Sequence, residues 1–268
     1  MESDPIKIRY TYLGNTGERV SEIGLGTYGI TNYKKAEAAF SYAIERGVNL
    51  IDTAEIYNTE DFVGSIIKRF GRDKLFIITK VWPKNLTTKE STIKSARGSL
   101  SKLGTDYVDL ILIHWPHRNM SIRDQVRNIE AVQKEGLSRF IGVSNFSVEQ
   151  MEEARNSTAS AEIVCNEVKY NLEEREIEEG VLPYSQKKKI SVIAYTPLAN
   201  GNVSKGASFL KIMNETGRTP IQISLNFILS HPGVIPIPKT ENIDHMKDIL
   251  GSVGWSLSTP QLNLLNEA

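Results

Sequence analysis

The chain has 268 residues and balances 32 lysines and arginines against 32 aspartates and glutamates. No global field therefore draws it to nucleic acid or to an acidic membrane surface, and any anion it binds must be met locally. One domain can use the whole length, the lone Cys165 has no partner for a disulfide or a metal site, and with no leader pattern and no long apolar run the expectation is a cytoplasmic protein without a membrane span.

The chain opens on a pair of strand-like segments, "IKIRYTYLG" and "ERVSEIGLG". From "EIGLG" onward, apolar runs alternate with amphipathic stretches. "VNLID" follows a helix pattern of Ala36, Ala39, Phe40 and Ala43 that stops at Gly47. After "LFIITK" come Ile93, Ala96, Leu100 and Leu103, closed by Gly104; after "VDLILIHW" come Ile122, Val126, Ile129 and Val132, closed by Gly136. "RFIGVSN", "EIVCNEV", "ISVIAY" and "GVIPIPK" complete eight runs that are apolar at successive positions and so read as strands buried on both faces. Between the sixth and seventh, "NLEEREIEEGVLPYSQKKK" is mostly charged and offers only Ile177, Val181 and Leu182, which predicts a shorter, exposed helix. Eight such units with no linker predict a single domain over residues 1–268, an α/β (β/α)8 TIM barrel with an N-terminal β-hairpin as a lid on its bottom.

Two motifs point elsewhere. "GLGTYG", residues 24–29, has the Gly-x-Gly-x-x-Gly spacing of a dinucleotide-binding turn, but residues 30–33 separate its last glycine from helical spacing, with Thr31 or Asn32 as N-cap. Its glycines read better as closing a barrel strand and letting backbone approach a ligand. "YSQKK" sets Tyr184 and Lys188 at the Tyr-x-x-x-Lys spacing of short-chain dehydrogenases, yet its charged flanks read as a surface turn.

In a barrel, chemistry gathers where strands end. These strands end in Thr27 and Tyr28, Asp52, Lys80, His114, Ser144 with Asn145, Asn166 with Glu167, Tyr195, and Lys239 with Thr240. Taken singly each has an ordinary structural use: Asp52 begins "DTAE", a capping-box spacing, and His114 could be a satisfied core histidine. A polar residue at the end of every buried strand is hard to explain as packing.

"NLIDTAEIYNTE", "IITKVWP", "LILIHWP", "IGVSNFS", "AYTPLA", "GRTPIQISLNFIL" and "IPIPKT" resemble, in order, segments of the aldo-keto reductases, and the resemblance covers nearly the whole chain. It implies reduction of small aldehydes or ketones with NADP(H), NAD(H) being less favoured. Tyr57 would be the general acid, Lys80 the cation that brings its phenol toward working pH, Asp52 the anchor of that lysine, and His114 the donor to the carbonyl oxygen. By the same resemblance Gly26, Thr27, Ser144, Asn145, Glu167, Tyr195, Pro197, Leu198, Lys239, Thr240 and His245 bind the cofactor, with Lys239 and Thr240 on the adenosine 2′-phosphate. Tyr28, Trp82 and Trp115 wall an open pocket, no metal is involved, and the protein is a monomer or weak homo-oligomer.

Three positions depart from the family pattern. His245 stands where arginine is common and Ile249 where an adenine-binding asparagine is common, which weakens the grip on phosphate and base. Glu167 stands in place of a glutamine; as a carboxylate it would favour the cationic oxidised nicotinamide unless Lys169, on the same side of the strand, neutralises it. Two other readings remain: a binding or regulatory subunit of the same fold with little turnover, and a short-chain dehydrogenase using Tyr184 and Lys188.

Overall fold

An antiparallel pair, β1 (Tyr10–Tyr12) and β2 (Arg19–Ser21), opens the computed structural model, which describes residues 8–202 and 206–267. Ile6 and Lys7, the start of the expected first strand, lie outside the described residues. Eight parallel strands follow in sequence order: β3 (Leu25–Gly26), β4 (Leu50–Asp52), β5 (Phe76–Val81), β6 (Val108–Ile113), β7 (Ser138–Ser144), β8 (Ile163–Lys169), β9 (Ser191–Tyr195) and β10 (Val234–Pro236). Two further backbone bonds, Gly24 N to Pro236 O at 2.9 Å and Gly26 N to Pro238 O at 3.1 Å, join the first of these strands to the last and close the barrel.

Every residue of β5 and β6 is buried, as their mostly apolar sequences require of strands covered on both faces, and Thr79, Lys80 and Asp109 are buried with them. One face fills the interior, where Leu50, Ile78, Leu112, Cys165 and Ile193 pack together; Cys165 is a buried free thiol. Leu13 and Val20 from the hairpin join the same cluster, and Gly14 N donates to Ser191 Oγ at 2.8 Å at the start of β9. The hairpin thus closes the lower end of the barrel.

The outer face meets α1 (Tyr33–Ile44), α2 (Glu60–Phe70), α3 (Lys89–Leu103), α4 (Ile122–Lys134), α5 (Val148–Ser157), α6 (Val181–Lys188), α7 (Ala207–Thr216), α8 (Pro220–Leu229) and α9 (Ile243–Leu250). A last helix, α10 (Thr259–Asn266), lays Leu265 against Phe209 of α7 and Phe227 of α8. Asn32 caps α1, its Oδ1 accepting from Lys35 N at 3.0 Å, so that helix starts well past the glycine motif. Gly104 ends α3 in the left-handed region at φ 64°, as the sequence predicts. No helix among the described residues is long and apolar enough to cross a membrane.

The "YSQKK" segment is not a surface turn but the end of α6. Tyr184 packs partly into the main core with its hydroxyl buried and unpartnered, and Lys188 lies over its ring at 5.9 Å. The helix runs down to Lys189, whose carbonyl lies beside Gly14 at the bottom. With a barrel in place of a dinucleotide-binding sheet, and this pair at its lower end, the short-chain dehydrogenase alternative falls.

Two glycines of "GLGTYG", Gly24 and Gly26, are explained by closure, while Gly29 adopts a positive φ of 73° in the loop that follows. A Cβ on Gly26 would stand 2.7 Å from the Ile237 carbonyl oxygen, so the backbone just past β10 makes the close approach. Gly26→Ala is expected to lower the unfolding free energy by about 2 kcal/mol through overpacking. Gly98→Ala, at an exposed site in α3 where a Cβ meets nothing within 4 Å, is expected to raise it by roughly 0.5–1 kcal/mol. Urea unfolding of both variants checks the pair; equal effects would contradict this account of closure.

Candidate active site

Lys80 comes up on β5 beside β4, which ends at Asp52. Its ammonium lies 2.6 and 2.7 Å from the two Asp52 carboxylate oxygens and donates to the Thr53 carbonyl at 3.0 Å. From β8, Glu167 adds a third partner, with Oε1 3.2 Å from Nζ. Lys80 is 0% exposed and the two acids 2% each. Burial draws the ammonium toward neutrality, but Asp52 and then Glu167 outweigh it and hold Lys80 above the ordinary lysine range. Burial also raises both acids, Glu167 the more, with Asp52 reinforcing the effect on Glu167 and Lys80 opposing it. The capping-box reading of Asp52 fails, because both its oxygens are on Lys80 and the N-cap of α2 is Thr59.

Tyr57 stands in the loop after β4, above a buried hydroxyl chain in which Thr59 meets Thr53 at 3.0 Å and Thr27 at 2.9 Å. Its hydroxyl lies 3.3 Å from His114 Nε2, and Lys80 Nζ is 5.0 Å from its ring centroid. Burial raises the phenol well above its usual range despite the opposing charge of Lys80. The expectation that the lysine brings it down toward neutral pH is therefore corrected: desolvation wins, and Tyr57 keeps its proton. His114, at the end of β6, is pushed down to about 3 by burial and then by Lys80, so its imidazole is neutral. Its Nδ1 is buried without a partner. Assigning the single ring proton to Nε2 avoids burying an unpaired N–H at Nδ1 and directs that N–H to the Tyr57 oxygen.

Tyr28 meets Tyr57 edge-on with ring centroids 5.0 Å apart, and Trp82 meets His114 in the same way at 5.1 Å. Trp115 is 44% exposed. The Tyr57–His114 pair is thus flanked by two of the three aromatics expected from the sequence.

The positions expected to hold the cofactor form two groups. In the first, Ser144 Oγ and Asn145 N both donate to the Glu167 carbonyl at 2.9 Å, Asn145 Nδ2 donates to the His114 carbonyl at 3.2 Å, and the Tyr195 hydroxyl donates to Asn145 Oδ1 at 2.9 Å. Glu167 Oε2 is buried with no partner. That oxygen accepts as a carboxylate and donates as a carboxylic acid, and a ligand carboxamide offers a partner for either form. Pro197 is buried and Leu198 half-buried in the loop after β9, where Thr196, Ala199 and Asn200 adopt positive φ of 51°, 44° and 56°. In the second group, the exposed Lys239 makes one long contact, 3.5 Å to the Gly29 carbonyl, and leaves donors for an anion. Thr240 Oγ1 accepts from Asn242 N at 3.0 Å, and His245 is exposed on the first turn of α9. Ile249 is buried in the core, so its side chain is spent on packing.

Lys169 does not neutralise Glu167. It pairs with Glu174 at 2.5 Å at the exposed end of β8, and Lys80 takes the part expected of it. Two acids were missed. Glu55 accepts from Trp82 N and from Asn85 Nδ2 at 3.0 Å, pinning the loop that carries Trp82. Its signal was the final acid of "DTAE", which reads as a cap. Glu241 accepts from Thr31 N and from Asn32 N at 3.0 Å, tying the loop after Lys239 to the start of α1. No local pattern announces a contact across 210 residues.

Residues 22–268 match the aldo/keto reductase family. The methylglyoxal reductase YeaE of Escherichia coli is 33% identical over 92% of this chain and 90% of its own length, and the glyoxal reductase of Bacillus subtilis is 33% identical over 88% and 84%. An aldo-keto reductase of Klebsiella pneumoniae, solved with NADPH, superposes with a TM-score of 0.90 at 30% identity, over 97% of this chain and 95% of that one. By sequence, fold and the arrangement of its strand ends, this chain belongs to the aldo/keto reductase family.

Proposed function

We propose that the chain reduces small aldehydes and ketones to alcohols with NADP(H), using Tyr57 as the general acid. The observation that carries this reading is the contact between the Tyr57 hydroxyl and His114 Nε2 at 3.3 Å, with the buried Lys80 ammonium behind the ring. When bound, the reduced nicotinamide supplies the hydride. Ser144, Asn145 and Glu167 would hold its carboxamide, Tyr195 its ring face, and Lys239 with Thr240 its extra phosphate.

The chain's own residues handle the proton. Nε2–H of neutral His114 and O–H of Tyr57 converge, so a carbonyl oxygen placed between them accepts two hydrogen bonds. As negative charge develops on that oxygen, the Tyr57 O–H bond breaks toward it and its electron pair stays on the phenolic oxygen. The raised proton affinity of Tyr57 keeps the acid loaded before the step, and the Lys80 charge stabilises the phenolate after it. A neutral imidazole is the right orienting donor, because a charged one would compete to be the acid. The flanking Tyr28 and Trp82 suit a small, flat carbonyl compound, and the relatives named for methylglyoxal and glyoxal make 2-oxoaldehydes the first substrates to test.

Following NADPH absorbance with methylglyoxal, Tyr57→Phe is expected to lower kcat by a factor on the order of 10² or more, with NADPH affinity by fluorescence titration nearly unchanged. Near-normal turnover would overturn the assignment of the acid. Lys239→Ala is expected to weaken NADPH by roughly tenfold or more while NADH barely changes, since one charge-assisted contact to a phosphate is lost. Equal losses for both would place the phosphate elsewhere.

A further inference from the structure

Lys80 has three N–H donors, and four acceptor atoms already surround them: Asp52 Oδ1 and Oδ2 at 2.6 and 2.7 Å, the Thr53 carbonyl at 3.0 Å and Glu167 Oε1 at 3.2 Å. The Tyr57 hydroxyl bonds His114, with the Lys80 ammonium beside it. Two buried carboxylates thus face one cation, and if both were ionised the cluster would carry an uncompensated negative charge out of reach of water. One proton removes that charge. Asp52 holds the ammonium with both oxygens, whereas Glu167 has a single, longer contact and lies against the Asp52 side chain, so the proton belongs on Glu167, which can donate it to Asp52.

We propose that Glu167 is a positioning residue whose proton decides how far the charge of Lys80 serves Tyr57: as a carboxylate beside the ammonium it offsets that charge, and as a carboxylic acid it leaves the charge to the phenol. The inference rests on the reductase chemistry proposed for Tyr57. In that step the phenolic proton goes to the carbonyl oxygen and the phenolate left behind needs the positive charge of Lys80; the Glu167 proton is not consumed. Burial and the neighbouring Asp52 hold Glu167 well above the usual carboxylate range, against the opposing charge of Lys80.

The groups that face Glu167 support this. From β4 comes Asp52, from β5 Lys80, from the loop above them Tyr57, from the end of β9 Tyr195, and on β8 itself Cys165; Lys80 is the cation among them. His114 is held neutral, Lys169 is tied to Glu174, and Ser144 on β7 gives its hydroxyl to the Glu167 backbone. Because the acid form is the productive one, carbonyl reduction falls as pH rises through the Glu167 titration. Glutamine reproduces the protonated form: it is neutral, of the same shape, and both donates and accepts.

The test compares the kcat–pH profiles of wild type and Glu167→Gln at saturating NADPH and methylglyoxal. Wild type is expected to lose about tenfold per pH unit on its descending limb, while the variant stays flat there and exceeds wild type by about tenfold at the upper end. The same descending limb in both, or a variant slower than wild type at every pH, would overturn the proposal. Infrared spectra of the cofactor-free wild type provide a readout that does not depend on turnover. They should show a carboxylic-acid C=O stretch that disappears as pH rises and is missing from Glu167→Gln, and its absence from wild type would also overturn the proposal. Loss of reduction in Tyr57→Phe at every pH tests the reductase reading separately.

Discussion

The ammonium of Lys80 is kept fully inside the barrel by an aspartate from the next strand and a glutamate from farther round the sheet. A lysine without water costs several kcal/mol unless its donors are met, so β4, β5 and β8 must bring their polar ends to one level. The rest of the site follows from that constraint. Tyr57 can lie over the lysine only if the loop after β4 is held, which the Thr27–Thr59–Thr53 chain does, and His114 is kept uncharged by the same burial and the same nearby cation.

Rigidity is supplied from below and from outside the site. The hairpin places Leu13 and Val20 in the lower barrel, and the narrow approach of β3 to β10 at Gly24 and Gly26 lets the sheet close with backbone hydrogen bonds. With the strand ends fixed, loops can carry aromatics cheaply. Glu55 and Glu241 each turn a carboxylate onto backbone amides of a neighbouring loop and so hold Trp82 and the start of α1 without extra chain.

Much of this was legible in the sequence because barrel strands advertise themselves as apolar runs with polar last residues, and "LFIITK" and "VDLILIHW" became β5 and β6 nearly residue for residue. Helix ends were equally plain where a cap was chemically distinct, as at Asn32 and Gly104. What the sequence hides is distance across the barrel. Lys169 shares a strand face with Glu167 by alternation, yet it lies where β8 emerges into solvent, and the cation that reaches Glu167 is Lys80, on a different strand. The phenol of Tyr57 was misjudged for a related reason: a neighbouring cation can be read from a motif, but the depth of burial that outweighs it cannot. Tyr184 and Lys188 show the converse, a spacing that matches a catalytic pair on a helix at the wrong end of the fold.

A double-mutant cycle on kcat tests most directly whether Lys80 and Tyr57 act as one proton-donating unit. Lys80→Met and Tyr57→Phe should each remove most of the turnover, and the double variant should be no slower than the worse single by more than about twofold, since residues that act as a unit are not additive. Losses that multiply, with the double variant slower by the product of the two single effects, would show that the lysine works independently of the phenol and would contradict the account.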